Sequence, residues 1–223
     1  MPPKKKSVEE IFQKKTALEH IIDLPDTYIG SIENTELDTW IYDNENNKII
    51  TKNIKYIPGL YKIFDEVLVN AIDQHVRIEN DNTIKQKVTE IKVNIDQENN
   101  KLSVYNNGIG IPIVEHQEHK IYIPEMIFGQ LLTSSNYDKE EKKITGGKNG
   151  YGAKLANIFS SKFKVTTIDH EKKLKYVQLF EQNMNIKNKP TITKCNDKPY
   201  TLIEFEPDLK RFNIDKINDD TIN

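Results

Sequence analysis

The stretch Phe64–Gln74, FDEVLVNAIDQ, decides how the rest of the chain is read. Ile63, Val67 and Ala71, flanked by Phe64, Leu68 and Ile72, recur at helical spacing and make one wide apolar side. Glu66, Asn70, Asp73 and Arg77 follow at i, i+4, i+7 and i+11 and share the other side. A carboxylate can take a proton from water, and a carboxamide oxygen one turn away can ligate a hard cation such as Mg²⁺. A solvated polar stripe is the ordinary explanation of such a face. What lies before and after the helix bears on which of the two applies.

Working outward, the helix is expected over about 59–77, followed by a polar loop to Lys87. VTEIKVNID (88–96) and KLSVYNNG (101–108) alternate apolar with polar residues around the turn QENN, which predicts a hairpin. PEMIFGQLL (124–132) predicts a short helix with proline in its first turn. A polar loop, 133–148, then leads into glycine-rich GGKNGYGAK and the helical KLANIF. FKVTTID (163–169) and KLKYVQLFE (173–181) predict a second hairpin, and YTLIEFEPD (200–208) a last strand. Upstream, an amphipathic helix is expected from Val8 to Ile22, stopped by LPDTYIGS, and short strands over 33–56 around the turn 43–48. Helices and sequence-adjacent strands in this order imply an α+β fold, a mostly antiparallel mixed sheet with helices on one face.

The totals exclude several classes. A net charge of −2 rules out a chain that binds nucleic acid through overall charge, so any DNA contact must be local or made elsewhere. The single cysteine, Cys195, permits neither an internal disulfide nor a cysteine-rich zinc site and fits a reducing compartment. No apolar run reaches membrane-spanning length, and no membrane partner is expected. Lys4, Lys5 and Lys6 are either a nuclear-entry signal or a solvated end.

Two glycine motifs join the helix. In YNNGIGIPI (105–113), Gly108 and Gly110 follow a strand directly, where glycine allows a sharp turn or close approach to a ligand. It is not a dinucleotide fingerprint, because Ile113 stands where the third glycine belongs. Asn106, at the strand end, carries a carboxamide able to pair with an adenine edge. In GGKNGYGAK, Gly146, Gly147, Gly150 and Gly152 precede a helix whose free N–H groups suit a phosphate. A Walker A loop is excluded, since Ala153 and Lys154 occupy the Lys and Ser/Thr positions. Before it, Ser134, Ser135 and Asn136 offer short donors and acceptors for ribose or phosphate oxygens, although a solvated loop needs the same residues.

Helical ExxxN, strand-end NxGxG and GxxGxG before a helix, in this order, resemble the GHKL ATPase superfamily. Within it, LEHIIDLPDTYIGS, FDEVLVNAIDQ, YNNGIGIPI, IFGQLLTSSNYD and TGGKNGYGAKLANIFS resemble the N-terminal ATPase region of eukaryotic type II DNA topoisomerases, over about 18–209. The resemblance implies a GHKL (Bergerat) sandwich that binds ATP and Mg²⁺. Glu66 matches the general base and Asn70 the metal ligand. The implied nucleotide contacts are Asn70, Asp73, Asn106, Gly110, Ile111, Ser134, Ser135, Asn136, Gly147, Lys148, Asn149, Gly150, Tyr151, Gly152, Ala153, Lys154 and Thr201. It also implies an N-terminal arm over 1–17, a linker over 210–223 toward a transducer domain, a homodimer formed on nucleotide binding, DNA reached through the full-length enzyme, and a nuclear location. The family's γ-phosphate lysine lies on that downstream domain, so the expectation for these 223 residues is weak turnover on their own. Four positions depart from the family: Leu24 replaces a usual Arg, Gln74-His75 stands for Asn-Lys, and Ile109 for Lys or Arg.

Overall fold

The computed structural model describes residues 15–43, 45–131 and 152–217. The first helix, α1 (Ala17–Asp23), opens with a capping box: Thr16 accepts from the Glu19 amide while the Glu19 carboxylate receives the Thr16 amide (2.8 Å). Thr16 itself is extended, so a single helix running from Val8 through Ile22 is corrected to one that starts afresh at residue 17; residues 8–14 of that expectation lie outside the described ones. A 3₁₀ turn, Pro25–Thr27, ends the entry segment.

Next, β1 (Thr35–Asp43) and β2 (Lys48–Tyr56) form a two-stranded antiparallel ribbon of their own, longer than the short strands expected there. Helix α2 (Pro58–Glu79) follows, started by a proline whose missing N–H costs nothing at that position. It buries Ile63, Val67 and Ala71, the apolar side legible in the sequence.

All other strands among the described residues belong to one antiparallel sheet. These are β3 (Ile91–Asp96), β4 (Lys101–Asn107), β5 (Ser160–Asp169), β6 (Leu174–Glu181), β7 (Ile186–Lys187), β8 (Thr191–Lys194) and β9 (Tyr200–Pro207). Their order is β3-β4-β9-β5-β6-β7, with β8 also paired to β6. The last strand therefore enters between the two hairpins and welds them together. Strand β4 and strand β9 bury every second residue, the mark of a sheet covered on one face. Two short helices, α3 (Ile123–Gly129) and α4 (Gly152–Ile158), pack with α2 on that face, and α4 is buried from Ala153 to Ile158.

Phe163 is the centre of the core, with Phe128, Phe180 and Phe205 rings 6.0–6.3 Å away. The α+β sandwich expected from the sequence is the fold observed. At its C-terminal edge Phe212 and Ile217 are buried in the core, and the Ile217 amide donates to Asn100 (2.8 Å). Apolar spacing too sparse to predict an element still anchors the chain once a surface is there to receive it.

Candidate functional site

Helix α2 is the common wall. At its N-terminal half, Glu66 and Asn70 meet the first residue of α4: a Cβ added to Gly152 would lie 2.7 Å from Glu66 Oε2 and 3.7 Å from Asn70 Nδ2. Only a residue without a side chain leaves the carboxylate where it is. The other Glu66 oxygen pairs with Lys62 (2.6 Å), one turn back on the same helix, and Asp65 lies 3.6 Å from that ammonium. The hydrogen bond to Glu66 holds the Lys62 ammonium above its ordinary pKa. Glu66 is thus aimed from both sides, by a cation and by a glycine backbone.

Asn70 donates its Nδ2 to the Glu66 carbonyl, which leaves the carboxamide oxygen as its acceptor. Among the described residues no group of three or more His, Cys, Asp or Glu could hold a metal ion. A magnesium ion here would take Asn70 Oδ1 as a single protein ligand, with phosphate and water oxygens as the rest, and that donor set fits Mg²⁺. Asp73 and Arg77 continue the stripe, half-buried and exposed respectively.

Eight residues beyond Glu66, about 12 Å along the axis, Gln74 Nε2 donates to the Gly110 carbonyl (3.4 Å). The Gly110 backbone has φ +73, and a Cβ there would drive into the Ile168 carbonyl. This is the close approach that the NxGxG motif requires. The loop is then stapled to the end of β5. Ile111 N–H donates to Thr167 Oγ1 (3.0 Å), Ile113 N–H to Asp169 Oδ2 (2.8 Å), and His170 N–H to the Ile109 carbonyl (3.2 Å).

Asn106, Thr201 and Thr167 sit opposite one another on β4, β9 and β5, so all three project toward the helices in one row. They are nearly buried, with Asn106 at 4% and Thr201 at 8% exposure. Asn106 Nδ2 donates to the Asn107 carbonyl (3.0 Å), leaving Oδ1 as an acceptor. Lys154, on α4, is buried, and that burial pushes its ammonium pKa down to about 8. Ala153 beside it is buried as well.

The sequence-predicted residues therefore fall in two groups joined by α2: Glu66, Asn70 and Gly152–Lys154 at one end, and Gly110, Ile111, Asn106 and Thr201 at the other. Ser134, Ser135, Asn136 and the stretch Gly147–Tyr151 lie outside the described residues. Lys62, Thr167 and Asp169 were not singled out. Their signals were present: a lysine at i−4 to the acid, and polar residues at the inward positions that continue Phe163 and Val165. Of the departing positions, Gln74 makes the Gly110 contact, His75 Nδ1 lies 3.0 Å from the Val88 carbonyl, and Leu24 is exposed.

Residues 56–207 match the family of histidine kinase-, DNA gyrase B- and HSP90-like ATPases. The chain belongs to that family. Within these ATPases it is 51% identical over 218 residues to DNA topoisomerase 2 of Arabidopsis thaliana, an alignment covering 97% of this chain and 14% of the relative. The crystal structure of the ATPase region of Saccharomyces cerevisiae topoisomerase II superposes with a TM-score of 0.89 at 51% identity, over 95% of this chain and 54% of that one. The ATPase and transducer domains of DNA topoisomerase II from Balamuthia mandrillaris give 0.90 at 45% identity, over 96% and 54%. The chain is an ATPase region of the type II topoisomerase kind and spans about one seventh of the length of the curated relative it matches.

Proposed function

We propose that this ATPase region is the nucleotide-operated part of a type II DNA topoisomerase, and that it binds ATP between α2, the 108–113 loop and the start of α4. The observation that carries the reading is the contact of Gly152 with Glu66 and Asn70, which seats the end of the glycine-rich segment on the helix's acid and amide. Glu66 orients the attacking water and takes its proton as oxygen attacks the γ-phosphorus in line with the leaving β-phosphate oxygen. Backbone N–H groups of Gly147–Gly152 and the Lys154 ammonium stabilise the charge on the phosphates. Asn70 would hold a Mg²⁺ ion, which when bound would supply neutralisation of the phosphate oxygens. Ser134, Ser135 and Asn136 contact ribose and phosphate, Asp73 and Ile111 line the nucleotide, and Asn106 with Thr201 receives adenine.

In the complete protein, ATP would draw two such regions into a homodimer gate that captures a DNA segment in the nucleus. Residues 1–17 would reach across as an arm, and residues 210–223 would lead toward the transducer domain. The test is Glu66→Gln with ATP titration and single-turnover hydrolysis. Binding should persist and hydrolysis should vanish; undiminished hydrolysis refutes the assignment of the base.

A further inference from the structure

Thr167 is completely buried, and no role in the reaction touches it. Its hydroxyl nevertheless makes three contacts: the Ile111 amide at 3.0 Å, the Tyr200 carbonyl at 3.0 Å and the Thr201 hydroxyl at 3.1 Å. A hydroxyl has one proton and two lone pairs, so three partners use it completely. The assignment is determined by the partners. An amide N–H can only donate and a carbonyl can only accept. Thr167 therefore accepts from Ile111 and gives its proton to Tyr200. One lone pair remains, and the Thr201 proton must point at it.

That direction matters at the next residue. Thr201, committed as donor to Thr167, has only lone pairs left for anything else. Beside it in the row, Asn106 gives one N–H of its NH₂ to the Asn107 carbonyl and keeps its oxygen as an acceptor. Two neighbouring side chains on the wall thus both present acceptors. An amino group on the purine can donate to such a wall, whereas an oxo group in the same place meets lone pairs and leaves buried oxygens facing one another.

We infer that Thr167 is a positioning residue for base selection: by taking the Thr201 proton it leaves Thr201 with only acceptors for the purine and so favours a 6-amino over a 6-oxo purine. The same hydroxyl pins Ile111, so the loop that closes over the base and the hydrogen-bond sense of the wall are set by one atom. This inference rests on the proposal that nucleotide binds here.

The experiment measures ATP and ITP affinities, by displacement of a ribose-labelled fluorescent ATP analogue in Mg²⁺ buffer, on the chain and on three variants. These purine nucleotides differ at the C6 substituent and the N1 proton. The unsubstituted chain should prefer ATP. In Thr167→Val the Thr201 proton is released and can be donated to an oxo group, so the ATP-over-ITP ratio should fall roughly three- to tenfold, the span of one neutral hydrogen bond. Thr167→Ser should restore the ratio. Thr201→Val, which removes the wall acceptor, should lower ATP affinity and narrow the ratio, and it decides the matter if Thr167→Val does not fold. An unchanged ratio in folded Thr167→Val overturns the inference, as does a full ATP preference in Thr201→Val. Failure of Thr167→Ser to restore the ratio also overturns it. If the unsubstituted chain binds ATP and ITP equally, the inference alone falls. If it binds neither, the nucleotide-site reading falls with it.

Discussion

The β1–β2 ribbon and the β4–β9 pair are written in the same alphabet and meet opposite fates. Both alternate, and both are regular antiparallel ladders. In β4 and β9 every second side chain is buried; in the ribbon none is. Trp40, Tyr42 and Ile49 share one exposed ribbon face and are 74%, 54% and 64% accessible. Alternation specifies a pleat with two unlike faces. Whether either face is buried depends on a second layer, and only the larger sheet has α2, α3 and α4 laid across it. A two-stranded ribbon without such a layer adds little stability of its own.

Truncation separates the two regions most sharply. Phe163→Ala, at the centre of four packed rings, should cost about 3–5 kcal/mol in urea unfolding. That loss is a large part of the stability of a domain this size, and a loss below about 1 kcal/mol would mean that the sheet core is not where the stability lies. Gly152→Ala tests the site rather than the core. The added methyl meets the far end of a flexible carboxylate, so the fold should survive while Glu66 is displaced. Single-turnover hydrolysis should drop about a hundredfold, the usual worth of a general base, with the unfolding midpoint nearly unmoved.

Lys154 gives a pH-dependent contrast. Its pKa is about 8 when folded and near 10.5 when unfolded. Between those values the unfolded chain binds the extra proton, so stability should rise with pH there; below about 8 the cost of burying the charge is fully present. Lys154→Met should therefore be more stable than the unsubstituted chain at pH 7, by at most about 3 kcal/mol, and the advantage should shrink toward pH 10. A difference independent of pH would show that the ammonium is not desolvated. ATP affinity should fall in the same variant. Smallest of all, Trp40→Ala on the ribbon should change stability by no more than about 0.5 kcal/mol. A cost several times larger would mean that the ribbon is packed after all.

Local pattern reached far in this molecule. Helical spacing placed α2 within two residues of its observed ends, and the glycines of 108–110 announced the close approach that Gly110 makes to Ile168. The amphipathic stretch from Val8 to Ile22 hid the break at Thr16, where the capping box starts the helix. The Lys62–Glu66 pair, which sequence reading missed, is a matter of i, i+4 spacing on one helix.

The insertion of β9 between β4 and β5 could not be read locally. Nothing in YTLIEFEPD states which strands it will join, because partners distant in sequence, those on β4 about a hundred residues away, are selected by the whole sheet's burial and not by the strand's own pattern. That one placement aligns Asn106, Thr201 and Thr167 in one row. By itself the sequence determined most of the helices and strands and the kinds of groups available for binding. Their convergence on one wall was decided only by the tertiary structure, since hydrogen-bond direction and close approach exist between segments and in none of them alone.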